Sequence, residues 1–252
     1  MVVLEIRNLS KYFGGLAAIE SLDLNVVDSE ILGVVGPNGA GKSTLFNVIC
    51  GFLRPSKGKV LFKGEDISKL DTHEIARRGV GRTFQQTSLF MMSTVFENVL
   101  TGFHMNYRVG FWKTFLHTTA ARKEEQIARQ KSQEVLDFIG LGSQKDVIAQ
   151  KLPYGNRKIC GLATALAANP ELLLMDEPMA GMNYAEIATM VKVIGELRAR
   201  GLTIILVEHN MYAVRNLCDR IVVLNYGRKL AEGVPEEVLR NKEVIEVYIG
   251  RG

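Results

Sequence analysis

A chain of 252 residues with 47% hydrophobic and 23% charged side chains holds enough apolar material for a substantial core, which excludes a disordered composition and leaves one large domain or a domain with an inserted lobe. The formal charge of +4 is scattered along the chain rather than massed in one block, which argues against a dedicated nucleic-acid binder. Cys50, Cys160 and Cys218 match no metal spacing and are odd in number, so a reducing compartment is the simplest reading. In chain order, the opening MVVLEIRNLSKYF lacks the basic flank and sustained apolar run of a secretory signal, so none is expected. Residues 2–6 and 22–26 alternate apolar and polar side chains and predict half-buried antiparallel strands, whereas the continuous apolar run 31–35 predicts a buried parallel strand. A helix is expected from about Ser43. Between 94 and 141 the spacing of Val95, Val99 and Phe103 turns helical and a charged run appears at 122–125, which predicts a helical lobe inserted into an α/β core. The core resumes with apolar strands at 172–175 and 203–207 around a helical pattern at 185–200, an order that implies a largely parallel sheet. No segment reaches the run of about 18 apolar residues that spans a bilayer, so a membrane role must come through partners.

Two motifs and two single polar residues carry chemistry. Gly36, Pro37, Asn38, Gly39, Ala40, Gly41, Lys42, Ser43 and Thr44 fit G-x-x-x-x-G-K-[ST]. Glycines there let backbone N–H groups converge on phosphate oxygens, a helix N-terminus adds its dipole, Lys42 reaches the outer phosphates and the Ser43 hydroxyl can ligate Mg²⁺. A plain Gly-rich turn is the alternative, and the strand before it and helix after it favour phosphate. The strand LLLMDE ends in Asp176 and Glu177, which consecutive strand positions would turn to opposite faces. Asp176 would then hold Mg²⁺ and Glu177 would polarise the attacking water, although strand-end carboxylates also serve as mere solubilising caps. Gln85, after the VGRTF strand, and His209, after the 203–207 strand and Glu208, complete the γ-phosphate surroundings; each alone would read as structural or solvated.

The ordered set GPNGAGKST, Gln85, LPYGN (152–156), LLLMDEP, AGMN (180–183) and His209 resembles the ABC-type ATPases over essentially the whole chain. The resemblance implies one nucleotide-binding domain: a P-loop core of mostly parallel sheet with an antiparallel β-lobe (1–85 and 161–252) and a helical lobe carrying the signature segment (86–160). It implies ATP and Mg²⁺ as ligands, with Gln85 reaching the metal and the γ-phosphate. It implies that Phe13 stacks on adenine, an ordinary core place in the β-lobe being the alternative. It also implies that two such proteins close head to tail, each ATP lying between one partner's P-loop and the other's Pro153, Tyr154, Gly155 and Asn156, and that closure drives the membrane subunits.

The stretches KYFGGLAAIESLDL, TFQQTSLF and GFHMNYRVGFWKTFLHTTAARKEE, the signature LPYGN and the tail LNYGRKLAEGVPEEVLRNKEVIEVYIG are further similar to the ATPases of branched-chain amino acid importers. Their partners are two membrane permeases, a second and different ATPase, and an external solute-binding protein, with no nucleic acid. The place implied is the cytoplasmic face of the membrane, as a peripheral subunit. The insert around Gly110, Phe111 and Trp112 either contacts the permeases or pads the helical lobe. Against the common L-S-G-G-Q signature, Pro153 stands for Ser and Asn156 for Gln; Ile159 and Thr164 stand where Arg is common, and Asn183 stands for the usual Asp. Other classes stay open on sequence alone: an ATPase for lipid or lipopolysaccharide export, a soluble ABC protein of ribosomes, DNA or iron–sulfur assembly, and a nucleotide-binding module without catalysis.

Overall fold

The computed structural model describes residues 1–83, 89–104 and 119–249. Its elements begin with β1 (Val2–Phe13), β2 (Leu16–Val27), β3 (Ile31–Val35), α1 (Lys42–Ile49), β4 (Lys57–Phe62), β5 (Glu65–Asp66), α2 (Thr72–Arg77) and β6 (Val80–Thr83). Then come α3 (Val95–His104), α4 (Thr119–Phe138), α5 (Tyr154–Ala167), β7 (Leu172–Asp176), α6 (Tyr184–Ala199) and β8 (Thr203–Val207). The chain ends on α7 (Met211–Leu217), β9 (Arg220–Asn225), β10 (Arg228–Gly233), α8 (Pro235–Val238) and α9 (Lys242–Ile249). Contacts group Met1–Arg82 with Glu171–Gly252 as one compact unit and Thr83–Pro170 as another.

The first unit contains a six-stranded sheet in the order β10-β9-β3-β8-β7-β6. β3 runs parallel to both β8 and β9, and β7 runs parallel to β8. Every residue of β3, β7 and β8 is buried, which is why their sequences read as unbroken apolar runs: both faces of this sheet are covered. A second, antiparallel sheet has the order β2-β1-β4-β5. Leu4, Ile6 and Leu24 of that sheet share one core with Leu45, Phe46 and Ile49 of α1 and with Leu174 and Val207, so α1 is clamped by apolar packing over the ends of the parallel strands.

β1 and β2 run well beyond the alternating stretches that announce them, because bulges interrupt the period of two. The β1–β2 register slips between Ile6 and Leu9, and Asn8 there takes a positive φ of 45° while its N–H donates to Asp23 Oδ1 at 2.7 Å. The β9–β10 hairpin is a structural addition that the apolar periodicity passes over. Asn225 pairs with Arg228 across a two-residue turn, Tyr226 and Gly227, both at positive φ (46° and 76°), the type I′ geometry that suits hairpins.

In the second unit α3, α4 and α5 pack on one another. Glycine at 102 permits a close approach of α3 to α5, since a Cβ there would lie 2.2 Å from the Thr164 carbonyl oxygen. α5 runs unbroken through residues 160 and 161. Buried Asn98 ties down the segment before α3: its Oδ1 accepts from Phe90 N–H at 2.7 Å, and its amide donates to Phe90 O and Thr94 O. The Gly110, Phe111 and Trp112 insert lies outside the described residues. Among the described residues no helix is long and apolar enough to cross a membrane. All three cysteines are free and buried; burial pushes the Cys50 thiol up to about 11 and those of Cys160 and Cys218 up to about 12, so they are poor nucleophiles.

Candidate active site

The loop between β3 and α1 is shaped by its neighbours before any ligand is considered. Gly36 and Gly41 hold φ of 148° and 103°, and a Cβ on either would collide with backbone, with Leu224 O at 2.2 Å and with Ala18 O at 2.5 Å. The loop is also hydrogen-bonded to the hairpin turn, Gly227 N–H donating to Ala40 O at 3.1 Å. Asn38 and Gly39 face outward, and a Cβ on Gly39 would meet nothing within 4 Å. Ser43 and Thr44 occupy the first turn of α1, whose N-cap Gly41 offers no side-chain cap, so the turn's N–H groups suit an anion. Lys42 is buried, and its ammonium donates to Gly36 O at 2.7 Å and Pro37 O at 2.9 Å. Burial lowers its pKa below the usual lysine value, although the Glu177 and Asp176 carboxylates pull it back up. Donor N–H groups, a cation and an open rim fit the phosphates of a nucleotide.

Two strands away, β7 delivers the carboxylates. Asp176 ends β7 and is only 4% exposed; its Oδ2 accepts from the Arg82 guanidinium at 2.9 Å, and Arg82 also donates to Asn47 Oδ1 on α1 at 2.6 Å. Glu177 sits past the strand end with a positive φ of 48°, so strand alternation does not separate it from Asp176 as the sequence suggested. The backbone turn does: Glu177 N–H donates to Val207 O at 2.9 Å, and the side chain reaches His209, with Oε1 3.0 Å from Nε2. A non-glycine residue in this region is strained, a condition that concentrates at functional positions. Arg82 and Asn47 escaped notice because neither belongs to a spacing motif. Asn183, the departure from the usual Asp, is the N-cap of α6, exchanging hydrogen bonds with Glu186 as a capping box. The N-x-x-E spacing was the available signal.

Phe13 stands at the end of β1 and is 47% exposed, with Lys11 Nζ 5.3 Å from its ring centroid, so the core alternative is set aside. Gln85 lies outside the described residues. Pro153, Tyr154, Gly155 and Asn156 belong to the second unit. There Pro153 is the N-cap of α5, and Asn156 spends its amide on Gln144 Oε1 at 3.1 Å. The exposed Tyr154 ring has Arg157 Cζ at 5.7 Å and Lys158 Nζ at 5.8 Å, so the start of α5 carries Arg157 in its first turn and the buried Lys158 in its second.

Residues 19–180 match the family described as "ABC transporter", and residues 228–252 match "Branched-chain amino acid ATP-binding cassette transporter". The chain is 38% identical over 249 residues, 98% of each protein, to the high-affinity branched-chain amino acid transport ATP-binding protein LivG of Escherichia coli (strain K12). It is 34% identical over 252 residues, covering 99% of this chain and 98% of the relative, to the lipopolysaccharide export system ATP-binding protein LptB of Haemophilus influenzae. The ADP conformation of MJ1267, an ATP-binding cassette of an ABC transporter, superposes with a TM-score of 0.88 at 33% identity, covering 100% of each chain.

Proposed function

Because the chain belongs to the ABC transporter family, we propose that it binds and hydrolyses ATP to power the import of branched-chain or related amino acids through membrane permeases. One observation carries the hydrolytic reading: the Glu177 carboxylate, held 3.0 Å from His209 Nε2, projects past β7 in the same unit as the phosphate loop. In this reading the N–H groups between Gly36 and Thr44 bind the phosphates, and Lys42 turns its ammonium from the Gly36 and Pro37 carbonyls to the outer phosphates. Phe13 stacks on adenine. Glu177 accepts a proton from the attacking water, and His209 orients Glu177 and the γ-phosphate. The Ser43 hydroxyl, the Asp176 carboxylate and Gln85 would hold Mg²⁺, which when bound offsets the charge developing on the phosphate oxygens. The first unit is read as P-loop core with β-lobe, the second as the helical lobe. The location proposed is the cytoplasmic face of the membrane, as a peripheral subunit.

The resemblance to a lipopolysaccharide-export ATPase keeps export as a second reading, and the 228–252 match to the branched-chain amino acid family favours import. Transport decides between them. Vesicles reconstituted with the chain, its permeases and its solute-binding protein should accumulate labelled leucine, isoleucine or valine when ATP is supplied; ATP hydrolysis that no amino acid stimulates would overturn the import reading.

Two expectations concern partners. Phe90 and Met92 are 62% and 78% exposed, and the backbone at Phe90 is anchored by Asn98, so this surface is apolar and fixed. Such a patch suits a short permease helix. Phe90→Asp should leave thermal stability within about 0.5 kcal/mol of wild type, as surface substitutions do, while copurification of permeases falls at least several-fold. A matched loss of stability would instead make Phe90 part of the packing.

The working pair of ATPases is proposed to be heteromeric. Pro153 and Asn156 remove a hydroxyl and redirect an amide, and each hydrogen bond to a charged group contributes roughly 1.5–3 kcal/mol. Arg157 and Lys158 offset part of that by charge, yet not its direction. A site completed by this segment should differ from one completed by a Ser- and Gln-bearing segment, and native mass measurement of the purified transporter should find one copy of this chain beside a second ATPase. Two copies with full transport activity would refute the heteromer.

A further inference from the structure

We infer that Glu208 is a positioning residue that latches together the two loops carrying Glu177 and His209 and so sets the contact between them. This rests on the reading of that pair as the hydrolytic machinery. Glu208 follows β8, is only 3% exposed, and makes no ion pair among the described residues. Its two oxygens are spent on backbone donors from two segments 29 residues apart in sequence. Oε1 accepts from Met179 N–H at 2.9 Å, two residues beyond Glu177. Oε2 accepts from His209 N–H at 3.0 Å and Asn210 N–H at 3.2 Å. The rest of each loop is built outward from these bonds. On one side Ala180 N–H returns to Glu177 O at 3.1 Å; on the other Asn210 Oδ1 accepts from Ala213 N–H at 3.0 Å and starts α7.

The chemistry selects a carboxylate. Three N–H donors approach from two directions, and only an acceptor-only group with two oxygens satisfies all of them. An amide of the same shape would point its NH₂ at one loop whichever way it flips, leaving donor facing donor in a buried place. A buried anion without a counter-ion is tolerated when such bonds surround it, and here it fixes two backbones whose side chains meet at 3.0 Å. The Glu177–His209 contact therefore depends on where Glu208, alongside the Glu177 N–H to Val207 O bond, holds the loops.

The test uses the full chain in its assembled transporter, with Glu208→Gln, His209→Ala and the double variant. Glu208→Gln should lower kcat by about 10- to 100-fold, the cost of a small misplacement of catalytic groups, with KM for ATP unchanged. The double variant should be no slower than His209→Ala alone, because Glu208 acts through that contact. Diethyl pyrocarbonate labelling followed peptide by peptide gives a readout independent of turnover: His209 should be acylated faster in Glu208→Gln, while exposed His73 is unchanged. Should Glu208→Gln fail to fold, Glu208→Asp keeps both oxygens on a shorter stem and should show the same two signs, more weakly. Losses that multiply in the double variant, or an unchanged His209 labelling rate, overturn the inference alone. Full turnover by His209→Ala would instead defeat the reading of the pair, and the inference with it.

Discussion

Glu177→Gln is expected to bind ATP with unchanged affinity and to hydrolyse it about 10²–10⁴-fold more slowly, the range a positioned general base contributes. The substitution keeps the side chain's size and leaves the backbone as it was. Glu177 holds a positive φ of 48°, and Gln has the same Cβ, so the strain and the Glu177 N–H to Val207 O bond are untouched. What changes is the proton chemistry. A carboxylate can take a proton from water; an amide cannot. Its oxygen can still meet His209, whose Nε2 lies 3.0 Å from Oε1 in the native pair, so the loop should stay in place. The affinity for ATP should hold because the donors proposed to bind the phosphates belong to the loop at 36–44 and not to β7. Single-turnover and equilibrium-binding measurements on the assembled transporter separate the two effects. Turnover above about a tenth of wild type would remove Glu177 from the base role, since a tenfold change is only about 1.4 kcal/mol of barrier.

The sequence exposed some parts of this molecule and concealed others for identifiable reasons. β3 and β8 were legible to the residue because both faces are buried, leaving no polar position to confuse the pattern. β1 and β2 were half legible because bulges at Asn8 and Ser21, both at positive φ, shift the alternation partway along. The β9–β10 hairpin was hidden in its turn chemistry: Tyr226 is an unusual residue to place at positive φ, so the turn does not advertise itself as Asn-Gly would. At the site, the 36–44 loop and the Asp176–Glu177 pair are legible because the chemistry proposed for them demands fixed spacing. Arg82, Asn47 and Glu208 are not, because they meet their partners through the fold, at separations of 94 residues for Arg82 with Asp176 and 29 for Glu208 with Met179. Long-range side-chain bonds of this kind leave no periodic trace.

Gly36→Ala should cost about 2–5 kcal/mol of stability, as forced overlap at a buried special φ does, and should abolish measurable ATP binding. Glycine is required at 36 twice over. Its φ of 148° lies where L side chains rarely go, and the added Cβ would sit 2.2 Å from Leu224 O. That oxygen belongs to β9, a strand paired to β3 on one side and β10 on the other, so it cannot retreat. The loop must move instead, and Lys42 moves with it, because its ammonium is held by the Gly36 and Pro37 carbonyls. Gly39→Ala is the matched control. It too has a positive φ, 80°, yet nothing lies within 4 Å of its Cβ. The expected cost is therefore only the left-handed penalty of roughly 1–2 kcal/mol. If the open rim at Gly39 is where phosphate docks, this variant should stay folded and still lose ATP affinity through its exposed methyl. Thermal unfolding and equilibrium nucleotide binding on the two variants separate protein packing from ligand approach. Equal stability losses would show that glycine serves only backbone conformation in this loop, and normal ATP binding by folded Gly36→Ala would show that the phosphates dock elsewhere.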